Sequence, residues 1–186
     1  MQTKEQIILG IDPGTNIMGY GVIQIKNNSI SVLKMNVLKL DKQKTHIERL
    51  KDIFEGVTAI IEENHPDSVA IEEPFYGKNI QSMLKLGRAQ GVAIAAAMHN
   101  NIPVYEYSPR KVKLAITGKG SASKEQLAAM LHHLAEFKEE HACLDATDAV
   151  GIAICHYLQC KYPSNEKSYS NWKTFLTKNS DRIIPQ

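Results

Sequence analysis

Hydrophobic positions change period several times along this chain, and the changes mark its elements. The opening run IILGI at 7–11 is continuously apolar, the pattern of a buried strand. GYGVIQI at 19–25 and an alternating stretch at 30–40 follow, joined by the turn signal Lys26-Asn27-Asn28. From 46 to 64 the period becomes helical: Ile47, Leu50, Ile53, Phe54, Val57, Ile60 and Ile61 share one face, and Pro66 and Asp67 end the helix. SVAIEE at 68–73 is strand again. A second helix is expected over 79–99; its second half, GVAIAAAMH, is apolar nearly all round, the mark of a central helix covered on several sides. Gly87 and Gly91 lie four apart and would let another element approach closely, each at a propensity cost of about 1 kcal/mol. IPVYEYS at 102–108 is a fifth strand, and helices follow near 108–117, 122–135 and 144–160.

Three strands joined by short turns suggest an antiparallel meander. Two later strands, each entered from a helix, suggest parallel crossovers. The expectation is therefore one α/β domain over residues 1–162: a mixed five-stranded sheet, three antiparallel strands and then parallel ones, flanked by helices. A polar, flexible C-terminal tail is expected over 163–186, apolar only at Trp172, Phe175 and Leu176. A length of 186 residues suits a single domain. No apolar run reaches the roughly 18 residues that span a bilayer, and the N-terminus lacks a signal-peptide pattern. Cys143, Cys155 and Cys160 form no CxxC pair. A reduced, cytoplasmic setting with no membrane partner is expected, the cysteines serving as small core hydrophobes.

Charge adds something the net value of +2 conceals. Residues 78–124 hold eight basic side chains, namely Lys78, Lys85, Arg88, Arg110, Lys111, Lys113, Lys119 and Lys124, against the single acid Glu106. The segments on either side are both net acidic. One continuous stretch thus carries the positive field that a polyanion binder needs, although a solvated basic surface would read the same way.

Four carboxylates fall where such a sheet could gather them. Asp12 ends the first strand and Glu72 the fourth; Asp145 and Asp148, three apart, share a helix face. Glu73 must point to the opposite face of its strand, so only one of that pair can join. Plainer roles stay open: Asp12-Pro13-Gly14-Thr15 suits a β-turn, Asp145 could cap the last helix, and Glu72 could be an exposed strand-end charge. Clustered, the four would repel one another unless a cation joined them. An all-carboxylate set suits Mg²⁺ or Mn²⁺ rather than zinc. Two such ions about 4 Å apart can activate a water for in-line attack on a phosphodiester.

GIDPGTNIMGYGVI, AIEEPFYGKNIQSMLKLGRAQGVAIAAA, PVYEYSPRKVK, GKGSASKEQL and LDATDAVGIAICH resemble, in order and spacing, the RuvC family of Holliday-junction resolvases. The resemblance implies an RNase H-like fold, a two-fold homodimer, and Mg²⁺-dependent paired nicking of four-way junction DNA in recombination and repair, alongside a RuvA–RuvB branch-migration complex. It gives Asp12, Glu72, Asp145 and Asp148 the catalytic and metal-binding roles, with one or two Mg²⁺ ions per subunit and Mn²⁺ as a possible substitute. It implies DNA contact by Phe75, Lys113 and Lys124, Phe75 being the aromatic near the junction centre. Tyr76, Lys78, Arg110 and Lys119 join them as DNA-binding candidates from the surrounding loop and basic stretch. Gly118-Lys119-Gly120 is read as a movable support for Lys124. Gly151 stands where the family pattern suggests Ala.

The expected activity is a metal-activated water attacking the phosphodiester in symmetric pairs of nicks, leaving 5′-phosphate and 3′-hydroxyl ends. A phosphotransferase of the actin or sugar-kinase type also opens on a strand and an Asp-x-Gly turn, but needs a second phosphate loop and about twice this length. The remaining alternatives are another RNase H-like nuclease acting on RNA-containing substrates and a junction-binding protein without catalysis.

Overall fold

The computed structural model describes residues 5–74, 79–137 and 144–161. Its strands are β1 (Gln6–Asp12), β2 (Ile17–Lys26), β3 (Ser29–Lys39), β4 (Ser68–Glu72), β5 (Val104–Tyr107) and β6 (Glu136–Phe137). The helices are α1 (His46–Asn64), α2 (Ile80–His99), α3 (Pro109–Thr117), α4 (Lys124–Leu134) and α5 (Leu144–Lys161). One sheet runs β5-β4-β1-β2-β3-β6. The first three strands form the expected antiparallel meander, and β4 and β5 add in parallel beside β1. The sheet has six strands rather than five: the two-residue β6 pairs in parallel with β3 at Ser31 and Val32. Two residues are too few to show a period.

Local chemistry explains the element ends. Asn27 and Asn28 both take positive φ, as a two-residue turn matched to the strand twist requires. Thr45 caps α1 in a reciprocal box with Glu48, and His65 ends it in the left-handed region. The Asp67 carboxylate accepts a 2.7 Å hydrogen bond from the Ile7 amide, pinning the start of β4 to β1.

Strand alternation divides the core in two. Leu9, Ile11, Val69 and Ile71 face α1 and α2; Ile8, Gly10 and Ala70 face α5, with α3 and α4 beyond it. The same parity turns Asp12 and Glu72 toward α5. A Cβ on Gly10 would lie 2.0 Å from the Ala149 carbonyl oxygen, so glycine here is what lets α5 rest on the sheet.

Several expectations are corrected. The central helix is α5, buried at every position from Ala146 to Tyr157 except Asp148. Instead, α2 buries only one face and leaves Ile80, Leu84 and Met98 exposed. Among the described residues nothing lies within 4 Å of a Cβ built at Gly87 or Gly91, so neither serves a close contact there. Ile47 is 68% exposed rather than facing the core. Cys155 is buried as expected but Cys160 is exposed, and Cys143 lies outside the described residues.

Candidate active site

The carboxyl ends of β1 and β4 lie side by side, with Ile11 paired to Ile71, so Asp12 and Glu72 leave the sheet at the same edge. Helix α5 then brings Asp145 in its first turn and Asp148 one turn later. Carboxylate oxygens of Asp12, Asp145 and Asp148 lie within 4.8 Å of one another, a spacing able to hold one cation. Glu72 stands outside that trio but lines the same pocket of about 290 Å³ with Asp12, Asp148, Lys113 and Lys124. The expected constellation therefore assembles, with Glu72 on its margin and Glu73 exposed as the alternation requires.

Electrostatics here follow from burial and like charge. Asp12 is pushed up to about 7, first by desolvation and then by Asp148 and Asp145. Glu72 also rises to about 7, by desolvation first and then by Asp12 and Asp148. Lys124 offsets part of this repulsion: its Nζ donates a 2.6 Å hydrogen bond to Asp148 Oδ2, which holds the lysine above its ordinary range. The lysine is fixed from behind, because Ser123 and Gln126 form a capping box at the start of α4. Lys113, on α3, lowers the Glu72 carboxyl from the other side of the pocket. A carboxylate cluster with no soft donors fits a hard divalent cation, which would remove the repulsion that helps raise Asp12 and Glu72 without it.

The remaining candidates divide. Arg110 and Lys119 are exposed and do not line the pocket. Phe75, Tyr76 and Lys78 lie outside the described residues. In the turn at Gly118-Lys119-Gly120 the Thr117 hydroxyl accepts from the Lys119 amide, and the Ala122 amide donates to the Lys119 carbonyl.

Two residues that support the site escaped sequence reasoning. Gln90, buried on α2, donates through Nε2 to the Glu72 carbonyl at 3.2 Å and to the Glu106 carboxylate at 2.7 Å, holding the end of β4 from the opposite face. Arg49 donates to the Thr15 carbonyl at 2.9 Å and to Asn16 Oδ1 at 2.6 Å, fixing the turn just after Asp12. The one available signal was a polar Gln90 within the buried face of an otherwise apolar helical run.

Residues 8–156 match the family model "Crossover junction endodeoxyribonuclease RuvC". The protein of that name from Bacteroides fragilis is 53% identical over 182 residues, covering 97% of each chain. The one from Cytophaga hutchinsonii is 51% identical over 182 residues, covering 98% of this chain and 90% of its own. Thermus thermophilus RuvC, solved in complex with Holliday junction substrate, superposes with a TM-score of 0.79 at 32% identity, over 85% of this chain and 96% of that one. The mixed sheet and its flanking helices are thus an RNase H-like fold of the resolvase type. This chain belongs to the RuvC family of crossover junction endodeoxyribonucleases.

Proposed function

We propose that this chain resolves Holliday junctions by paired, symmetric nicks, with Asp12, Glu72, Asp145 and Asp148 as its metal-holding catalytic carboxylates. The observation that carries the reading is the carboxylate group of Asp12, Asp145 and Asp148 at the carboxyl edge of the sheet, flanked by Lys124 and Lys113, in a chain of this family. A bound Mg²⁺ or Mn²⁺ would supply a water of lowered pKa and neutralise charge developing on the phosphate. The chain's own part is to hold the carboxylates close together, where a bound cation would favour their ionised form. Lys124 and Lys113 then draw a phosphodiester into the pocket, and apolar Val112 and Leu127 limit water at its base.

Paired cuts on a two-fold substrate call for two equivalent sites, most simply a C2 homodimer. The stripe of exposed Ile80, Leu84, Gly91 and Met98 with half-buried Gly87 on α2 supports that arrangement. It follows helical spacing, and its two open glycines would let a partner helix approach closely. The nuclease domain is taken as residues 1–162, consistent with the reach of the family match, with 163–186 appended. Among the described residues no helix is long and apolar enough to cross a membrane, and a cytoplasmic setting suits an enzyme acting on DNA.

The test compares a labelled four-way junction with a linear duplex and an RNA–DNA hybrid of matched sequence, in Mg²⁺ and in EDTA. Symmetric nicks confined to the junction and lost in EDTA are expected. Cutting of the hybrid alone would replace the substrate, and binding without any cut would remove the enzymatic reading.

A further inference from the structure

The strongest unexplained charge in the fold lies across the sheet from Lys113 and Lys124. Helices α1 and α2 begin at the same edge of the sheet that carries Asp12 and Glu72, because β3, β1 and β4 all run toward that edge. The first turn of α1 and the second and third turns of α2 bring four cationic or ionisable side chains together. His46 is the first residue of α1, Arg49 follows one turn later, and Lys85 and Arg88 stand on α2. Their proximity shows in His46: its imidazole is held below the ordinary range first by burial and then by the charges of Arg88, Arg49 and Lys85.

The group is unpaired. Among the described residues, none of these four side chains takes part in an ion pair. Both ring nitrogens of His46, and Nε of Arg49, are buried without a hydrogen-bond partner. Buried donors normally find an acceptor, and like charges gathered without a counter-ion are unfavourable, so the arrangement fits an anion that completes it.

The group also adjoins the acidic centre. Arg49 holds Thr15 and Asn16, the residues that follow the Asp12 turn. Arg88 shares a cleft with Pro74, two residues beyond Glu72. The carboxylates are thus bracketed by cations from both faces of the sheet: Lys113 and Lys124 on the α5 side, and His46, Arg49, Lys85 and Arg88 on the α1–α2 side.

We propose that His46, Arg49, Lys85 and Arg88 form a second phosphate-binding subsite, which holds the DNA backbone after it has crossed the carboxylate edge. The inference rests on the junction-nuclease reading and adds to it the path of the strand. The subsite is sequence-independent, since it offers charge and N–H donors to phosphate oxygens and nothing to base edges. Arg49 is held by the turn and cannot move far; Lys85 and Arg88 are exposed and, among the described residues, bonded to no other side chain, so they carry the charge that can be removed cleanly.

The test is the salt dependence of junction binding by the full chain, measured by fluorescence anisotropy in EDTA between about 50 and 200 mM salt. Lys85→Gln/Arg88→Gln is compared with Lys26→Gln/Lys34→Gln, which removes the same charge from strand positions at or toward the far end of the sheet. The subsite double variant is expected to flatten the log–log salt slope by about 0.9 for each phosphate that it no longer neutralises, with roughly tenfold weaker binding, while the control keeps the wild-type slope. Arg88→Lys should keep it too. Equal slopes for the two double variants would overturn the subsite while leaving the nuclease reading intact. A wild type that binds no junction would bring both down. Light scattering on each variant identifies any change in assembly. A double variant of altered mass is replaced by Arg49→Gln, which lies on α1 off the exposed α2 stripe, removes a full charge and faces the same criterion.

Discussion

The backbone carbonyl of Asp145 lies directly against Gly19: a Cβ built on that glycine would sit 2.1 Å from the oxygen. Gly19 pairs with Asp12 across β1 and β2, so one small residue sets the distance between the strand carboxylate and those on α5. Gly19→Ala must push the start of α5 outward. The expected loss is about 3 kcal/mol of stability, at the upper end for overpacking, because the atom in the way is backbone. Nicking should fall further than unfolding accounts for. Denaturant titration and cleavage measured on the folded fraction separate the two effects.

Raised carboxyl values predict the pH dependence of the metal-free protein. Asp12 and Glu72 both bind protons more tightly folded than unfolded, moving from 3.8 and 4.5 to about 7. Their contribution to stability is therefore complete below about pH 4 and is lost as pH rises through about 7, the reverse of a salt-bridged acid. Asp12→Asn should flatten that decline and, at pH 8 in EDTA, be more stable than wild type by about 2 kcal/mol, discounted from the ~4 kcal/mol that three pH units would represent. Adding Mg²⁺ should raise the melting temperature of wild type and leave that of Asp12→Asn nearly unchanged. Calorimetry across pH, with and without Mg²⁺, reads both.

A metal ion held by Asp12, Asp145 and Asp148 would compete with Lys124 for Asp148. Replacing the lysine by Met removes a cation 2.6 Å from the carboxylate, so affinity for Mn²⁺ should rise. Nicking should nevertheless fall by about a hundredfold, the usual scale for loss of one positioned donor at a reacting phosphate or carbonyl. Titration calorimetry and single-turnover cleavage should thus move in opposite directions. A parallel loss of both would mean that Lys124 only supports the fold.

The α2 stripe predicts the assembly. Leu84→Glu places a charge on an apolar position that is exposed among the described residues, and Gly91→Arg blocks close approach of a second helix. Each should halve the mass seen by light scattering without lowering the monomer's own stability, and should reduce paired nicking to single, uncoupled cuts.

Much of this site was legible because it depends on short-range rules. Alternation along β1 and β4 put Asp12 and Glu72 on one face, and an i, i+3 spacing did the same for Asp145 and Asp148. The choice of central helix was not legible. Both 79–99 and 144–160 are rich in small apolar residues, and α5 also carries the polar Thr147 and His156. Only the fold shows that His156 is satisfied, its Nδ1 lying 2.8 Å from the Tyr107 hydroxyl and its ring stacked on Tyr105. Gln90 and Arg49 were missed for the same reason, since each acts on a strand or turn distant in sequence. The pairing of β6 with β3 likewise arises from tertiary contact and leaves no periodic trace in two residues.

The most direct test of the central claim, that these carboxylates cut the junction rather than merely shape it, is Glu72→Gln on a labelled four-way junction. Glu72 lines the pocket without joining the Asp12–Asp145–Asp148 trio, so its amide should leave the fold and junction affinity close to wild type. Single-turnover nicking in Mg²⁺ is expected to fall by at least about a thousandfold. Wild-type nicking by the folded, junction-bound variant would contradict the account.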